Sequence, residues 1–273
     1  MRAMNARQTD IPFMKMHGLG NDFVVIDARA DALAVTPATV RAMADRHRGI
    51  GFDQLAVMQA ARDADVHLVF YNADGSVSAA CGNATRCIAR HLITETGHPE
   101  LTLTTDRGAL TARDAGGGLT SVNMGHAMTR WNEVPLAREM DTLELPIEGG
   151  PTATSMGNPH CTFFVKDAGS IDLAAQGPLI ERHPLFPERT NVQFAHVVAP
   201  DVLQMRVWER GTGITLASGS SSCATAVAAH RRGLTGPEVT IRLDGGEIAI
   251  RIAEDGVWMT GPTAHVFDGV WRG

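Results

Sequence analysis

Residues 239–261, VTIRLDGGEIAIRIAEDGVWMTG, decide the fold of this chain. Apolar and polar residues alternate around two turn sequences, Asp244-Gly245-Gly246 and Asp255-Gly256, and this pattern predicts a three-stranded antiparallel meander. Residues 101–125 have the same pattern, with their first turn at Asp106-Arg107-Gly108. The chain therefore contains two copies of one unit.

A constant offset of 137 residues relates the two copies. Each meander follows an alanine-rich helical segment that opens from a tight turn, which is Cys81-Gly82-Asn83 in the first copy and Ser218-Gly219-Ser220 in the second. Three further pairs of polar residues lie at the same offset: Asn21 and Asn158, Gln54 and Asn191, and Asn72 and Glu209. Because one offset recurs at four places, we predict two homologous lobes.

The order of elements predicts the fold class. Each lobe reads strand, helix, strands, helix, meander, and Thr36-Pro37 supplies an N-cap and a first-turn proline for the early helix. We predict an α+β fold in which each lobe is a mainly antiparallel sheet around a central helix, with a cleft between the lobes. The N-terminal lobe spans residues 1–128, completed by the last strand at about 263–273, and the C-terminal lobe spans 129–262.

Composition excludes several classes of function. The net charge of -6 over 273 residues includes no block of lysine or arginine, so we expect no nucleic-acid partner. No run of about eighteen apolar residues and no apolar signal region is present, so we expect a cytoplasmic protein without a membrane partner. The 4 cysteines form no CxxC pair, and we predict neither a disulfide framework nor a metal site.

Two facing, related lobes suit a reaction with similar events on opposite faces of one carbon, such as racemisation by one base and one acid. Cys81 precedes a helix, whose first N–H groups favour a thiolate, although a buried structural cysteine has the same local pattern. Helix starts also bind carboxylates. Glu209-Arg210 is either a carboxylate-binding fork with an acid beside it or a surface ion pair. His160 is either structural or tunes a neighbouring acid–base group.

Seven motifs in this order resemble the diaminopimelate epimerase family: MKMHGLGNDFVVID (14–27), GFDQ (51–54), YNADGS (71–76), CGNATRC (81–87), GNPH (157–160), FPERTNV (186–192) and WERGTGITL (208–216). The resemblance implies an epimerase that uses neither pyridoxal phosphate nor a metal. Such an enzyme interconverts LL- and meso-diaminopimelate with two cysteines, for lysine and cell-wall synthesis. It also implies a homodimer.

The resemblance implies the roles of individual residues. Cys81 matches the first catalytic cysteine, whereas Ser218 occupies the position of the second. His160 and Glu209 match residues that tune the two cysteines. The implied substrate-binding residues are Asn21, Gln54, Asn72, Gly82, Asn83, Asn158, Asn191, Glu209, Arg210, Gly219 and Ser220.

Ser218 predicts an inactive or impaired enzyme, because an alkyl hydroxyl stays protonated at physiological pH unless a base assists it. Three origins of Ser218 stay open: an engineered cysteine-to-serine change, a natural member with altered chemistry, and a degenerate copy. Two other functions stay open as well, namely a racemase of another amino acid and a non-catalytic amino-acid binding paralogue. A cysteine hydrolase using Cys81 and His160 would leave the repeat unexplained.

Overall fold

The computed structural model describes residues 10–31, 33–78 and 81–272. The first half contains β1 (Ile11–Gly18), β2 (Asn21–Ala28), α1 (Pro37–Ala44), β3 (Gln54–Gln59), β4 (Val66–Asn72), β5 (Val77–Ser78), α2 (Gly82–Thr96), β6 (Glu100–Thr105), β7 (Gly108–Gly116) and β8 (Leu119–Asn123). The second half contains β9 (Thr152–Ser155), β10 (Pro159–Phe164), α3 (Leu173–Glu181), β11 (Asn191–Ala199), β12 (Val202–Glu209), β13 (Gly213–Thr215), α4 (Gly219–Arg231), β14 (Glu238–Leu243), β15 (Gly246–Ala253), β16 (Gly256–Gly261) and β17 (Ala264–Trp271).

Both predicted meanders are present. Strands β6, β7 and β8 pair antiparallel in that order, and so do β14, β15 and β16. The predicted early helix begins at Pro37, and the Thr36 side chain caps it by accepting from the Thr39 N–H. Mostly antiparallel strands with few helices make this an α+β fold, as predicted.

Strand pairing repeats from one half of the chain to the other. The first half has parallel pairs β2–β3 and β4–β6, and the second half has parallel pairs β10–β11 and β12–β14. Elsewhere in the described sheet the pairings are antiparallel, and β8–β16 joins the halves. The constant sequence offset therefore corresponds to equivalent positions in three dimensions.

The last strand returns to the start of the chain, because β17 pairs antiparallel with β1. In the same way, Met128 forms an antiparallel bridge with Ser155 on β9. On the β1–β17 pairing we propose that β17 belongs to the N-terminal lobe, whereas the lobe boundary at residues 128–129 stays a prediction. Residues 1–9 of that predicted lobe and residue 273 of the predicted last strand lie outside the described residues.

Each lobe wraps its sheet around one buried helix. Ile88 and Leu92 of α2 lie in the core of the first lobe, and Ala224 and Val227 of α4 lie in the core of the second. The shorter helices α1 and α3 pack in two further apolar clusters. Among the described residues, no α-helix combines the length and the hydropathy that a membrane crossing requires.

Candidate active site

The N-termini of the two central helices open on one cleft, because Gly82 and Gly219 are the first residues of α2 and α4 and both line it. The residue before each helix is its N-cap, and the two caps have matching extended backbones, with φ of −146° at Cys81 and −143° at Ser218. The Cys81 Sγ accepts from the Ala84 N–H at 3.5 Å. The Ser218 hydroxyl instead donates to Ser221 Oγ at 2.9 Å.

The cleft has a volume of about 410 Å³. It brings together every predicted site residue except His160. The predicted residues that line it are Asn21, Gln54, Asn72, Cys81, Gly82, Asn83, Asn158, Asn191, Glu209, Arg210, Ser218, Gly219 and Ser220. Residues far apart in sequence therefore converge on a space large enough for a small amino acid.

Side-chain amides form the N-terminal-lobe wall of the cleft. Asn83 Nδ2 donates to Asn21 Oδ1 at 3.1 Å, and Asn21 Nδ2 donates to Asp53 Oδ2 at 2.8 Å. Arg86, which is fully buried, donates to Asn83 Oδ1 at 3.1 Å and so fixes the orientation of that amide. Gln54 and Asn72 are joined by a separate hydrogen bond of 3.0 Å.

The C-terminal-lobe wall is held by hydrogen bonds to the backbone. Asn191 Nδ2 donates to the Pro159 carbonyl at 2.9 Å, and its Oδ1 accepts from the Arg210 N–H at 3.0 Å. The Arg210 guanidinium donates to the Glu188 carbonyl at 3.0 Å. Arg210 is therefore positioned through both its backbone and its side chain.

Cys81 does not have the lowered pKa that its helix start predicts. Burial, together with the charge of Glu209, raises the pKa of the Cys81 thiol to about 12, although the N–H groups of Ala84 and Asn83 act to lower it. The expected contribution of the helix start is present, but desolvation outweighs it. At neutral pH Cys81 is therefore a thiol and not a thiolate.

Glu209 lies in the cleft with its carboxylate hydrogen-bonded. Burial raises the pKa of Glu209, whereas the neighbouring hydroxyl groups of Thr215 and Ser218 lower it, and the net change is upward. The Thr215 hydroxyl donates to Glu209 Oε1 at 2.7 Å. Glu209 thus sits near both predicted acid–base residues, since its charge also acts on Cys81.

His160 lies on β10 behind the cleft and has no exposed surface. Its Nε2 is 3.1 Å from Asn158 Oδ1, and its Nδ1 is 3.1 Å from Gln193 Nε2. Burial, with the charges of Arg210 and Arg107, lowers the pKa of His160 to about 3. His160 is therefore a neutral imidazole that positions other groups and does not line the cleft.

Arg107 was missed by sequence reasoning, because its position between Asp106 and Gly108 indicates only a turn. It lines the cleft and donates to the Met156 carbonyl at 2.8 Å, which connects the turn after β6 to the other lobe. Asp53 was also missed, although it lies in the GFDQ motif. Within residues 10–31, 33–78 and 81–272, no three His, Cys, Asp or Glu side chains cluster as metal ligands.

Residues 13–129 and 152–266 match the sequence profile of the family described as diaminopimelate epimerase. This chain belongs to that family. It is 52% identical over 264 residues to the diaminopimelate epimerase of Rhodospirillum centenum, an alignment that covers 94% of this chain and 91% of that one. It is 49% identical over 263 residues to the diaminopimelate epimerase of Acidiphilium cryptum, over 94% and 95% of the two chains.

Solved structures show the same fold in more distant proteins. A hydroxyproline epimerase from Agrobacterium vitis, solved with bound trans-4-hydroxy-L-proline, superposes with a TM-score of 0.71 over 98% of this chain and 92% of its own. Its sequence identity is 15%, so this likeness concerns the fold alone. The predicted family and the predicted fold class are both confirmed.

Proposed function

We propose that this protein interconverts LL- and meso-diaminopimelate by a two-base mechanism that uses neither a cofactor nor a metal, and that Ser218 slows the reaction. One observation carries the proposal. In a chain 52% identical to a diaminopimelate epimerase, Cys81 and Ser218 cap twin helices that open on a single cleft. That arrangement supplies one proton-transfer group from each lobe to a carbon held between them.

The helix N-termini bind the carboxylate of the reacting centre. The N–H groups of Gly82 and Asn83 at the start of α2, and of Gly219 and Ser220 at the start of α4, present partial positive charge to the cleft. At both Gly82 and Gly219 a neighbouring side chain occupies the space that a Cβ would need. A Cβ on Gly82 would lie 2.8 Å from Met124 Cε, and a Cβ on Gly219 would lie 2.7 Å from Met259 Sδ. The substrate therefore meets backbone and not side chain at these two positions.

The amide and guanidinium groups bind the second amino-acid centre of the substrate. Arg210 provides a fork-shaped donor for a carboxylate, and Glu209 provides a partner for an ammonium group. The amides that share this role are those of Asn158 and Asn191, while Asn21, Gln54 and Asn72 line the opposite, N-terminal-lobe wall. A ligand with two zwitterionic centres satisfies more of these groups than a monocarboxylic amino acid does, which favours diaminopimelate over histidine or proline.

Proton transfer begins with unequal partners. The Cys81 thiol is protonated at neutral pH, because its pKa is raised to about 12, so it starts a turnover as the acid. The group on the Ser218 side must then remove the α-proton. Since an alkyl hydroxyl holds its own proton through the physiological range, we expect this step to limit the rate.

The decisive experiment measures α-proton exchange in deuterated water with LL- and meso-diaminopimelate separately, on this protein and on Ser218→Cys. We expect rapid exchange with inversion in Ser218→Cys and slow exchange in the serine form. Cys81→Ala in the Ser218→Cys background provides the control and abolishes inversion. The proposal fails if neither form exchanges any proton of diaminopimelate.

Ser218 favours a second candidate, a protein that binds diaminopimelate without turning it over. Calorimetric binding by the serine form, with no exchange over days, would identify that function. We further propose a cytoplasmic homodimer, which the family resemblance supports, and sedimentation equilibrium measures the mass of the assembly directly.

A further inference from the structure

Two arginines from different lobes, Arg107 and Arg210, line the cleft. Arg107 Nη1 donates to the Met156 carbonyl at 2.8 Å, and Arg210 Nη1 donates to the Glu188 carbonyl at 3.0 Å. Among the described residues, neither guanidinium is ion-paired with a carboxylate. Burial and, to a smaller extent, the positive charge of Arg210 lower the pKa of Arg107. The cleft therefore presents two like charges that an anionic group of a ligand would neutralise.

The two carboxylates that line the cleft have other partners. Asp53 Oδ1 accepts from Arg46 Nη2 at 2.8 Å, and Glu209 Oε1 accepts from the Thr215 hydroxyl at 2.7 Å. Since carboxylates of the protein do not pair with the two cleft arginines, these arginines are available to a carboxylate of the ligand.

Arg107 has no counterpart in the second lobe. It is the second residue of the turn between β6 and β7, whereas Gly245 is the second residue of the equivalent turn between β14 and β15. The two halves of the repeat therefore differ at this position by a whole cationic side chain.

Both turns contact the opposite lobe, and they do so at equivalent points. A Cβ on Gly245 would collide with the Leu19 carbonyl oxygen, so that turn packs directly against backbone. Arg107 contacts Met156, which lies 137 residues after Leu19, but it does so through its guanidinium. Arg107 and Met156 are lining residues of the cleft, whereas Gly245 and Leu19 are not. The cleft thus extends toward the turn that carries the arginine.

The position of the Arg107 guanidinium is defined on the opposite lobe. Gly157 has a φ of +86°, and a Cβ at this residue would collide with Nη1 and Cζ of Arg107. While Nη1 is held by the Met156 carbonyl, the N–H groups of Nε and Nη2 have no hydrogen-bond partner among the described residues. These two nitrogens form the edge of a guanidinium that binds a carboxylate through two parallel hydrogen bonds.

We propose that Arg107 binds the distal carboxylate of the substrate together with Arg210, and that it determines the preference for a substrate with two carboxylates. The inference rests on the proposed epimerase function. The carboxylate of the reacting centre lies at the two helix starts, and the distal carboxylate lies between one guanidinium from each lobe. A distal carboxylate removes the repulsion between the guanidiniums, whereas a cationic end group adds to it.

The test compares ligands that differ in the distal carboxylate. L-Lysine is diaminopimelate with that carboxylate replaced by hydrogen, and 2-aminopimelate keeps the carboxylate but lacks the distal amine. We expect Arg107→Gln to weaken the binding of diaminopimelate and of 2-aminopimelate by about 10- to 100-fold, the scale of a hydrogen bond to a charged group. The affinity for lysine should change by less than about twofold. NMR titrations of the full-length serine form measure all three affinities.

Two further variants separate the fork from the charge. Arg107→Lys keeps the charge without the planar fork, and we expect it to weaken diaminopimelate binding by about three- to tenfold. Arg62→Gln is the matched control, because Arg62 is an exposed arginine in the connection between β3 and β4 and its replacement removes the same charge. We expect Arg62→Gln to leave the affinity for diaminopimelate within about twofold of the parent.

Three results would overturn the inference. Equal losses for diaminopimelate and lysine in Arg107→Gln would show that Arg107 only shapes the cleft. Unchanged diaminopimelate binding in Arg107→Gln would show that the guanidinium does not contact the ligand. A loss as large in Arg62→Gln would show a general effect of charge. A parent protein that does not bind diaminopimelate would contradict the proposed function itself, and the inference with it.

Discussion

Glu181→Gln tests how the loop that carries Glu209 and Arg210 is held in place. Glu181 is the last residue of α3 and is 3% exposed. Its Oε2 accepts from Trp208 Nε1 at 2.7 Å, and its Oε1 accepts from the Gly211 N–H at 3.1 Å. One carboxylate therefore fixes both the strand before the site and the turn after it.

The magnitude follows from the donors that surround this carboxylate. Glutamine has one oxygen and one NH₂ group, so either Trp208 or Gly211 loses its acceptor and faces another donor. An unsatisfied buried donor costs about 1–3 kcal/mol, and loss of the charge weakens the remaining bond by about 1 kcal/mol. We therefore expect Glu181→Gln to lower the free energy of unfolding by about 2–4 kcal/mol. For a chain of this size the midpoint of unfolding falls by roughly 4–15 °C.

Differential scanning calorimetry measures the midpoint, and initial rates in the Ser218→Cys background measure the effect on the site. Because Arg210 precedes Gly211, we expect KM for diaminopimelate to rise by about tenfold. Glu188→Gln is the matched control, since the Glu188 side chain is exposed and only its backbone carbonyl contacts Arg210. A midpoint within about 2 °C of the parent would show that the carboxylate does not hold this loop.

Three further predictions concern the cleft. The rate of Cys81 alkylation should increase about tenfold per pH unit from pH 8 to 11, because the pKa of the thiol is raised to about 12 and the reactive thiolate forms only as the pH rises. A rate that reaches a plateau near pH 9 would contradict this prediction. Arg107→Gln should raise the pKa of His160 above its value of about 3, because the positive charge of Arg107 disfavours the imidazolium. An unchanged NMR titration of His160 in this variant would show that the Arg107 charge does not lower the pKa. Gly219→Ala should weaken diaminopimelate binding by about tenfold in calorimetry, because its Cβ would lie 2.7 Å from Met259 Sδ and 3.2 Å from Asn83 Oδ1. Gly236→Ala is the control, because no atom lies near a Cβ at this position. Equal losses of diaminopimelate binding in Gly219→Ala and Gly236→Ala would contradict the steric explanation.

The repeat made most of the candidate site predictable. Positions such as Gln54 and Asn191, or Asn72 and Glu209, mean little alone, yet one shared offset places each pair at equivalent strand ends. The two turns before the helices were found in the same way. The structure adds that Cys81 and Ser218 are the N-caps themselves and that the glycines after them begin the helices.

Local pattern by itself determined the meanders and the capped helix at Thr36, because alternation, turn residues and caps act between residues close in sequence. The constant offset of 137 residues determined the two-lobed repeat. Tertiary structure alone decided which groups face the cleft and how readily each one ionises. His160 lies behind the wall, Arg107 reaches across from the other lobe, and the Cys81 thiol keeps its proton despite its helix start. The pKa of a group depends on its desolvation and on the charges of residues distant in sequence, and both are set by the side chains packed around it. A local stretch of sequence therefore cannot predict that pKa.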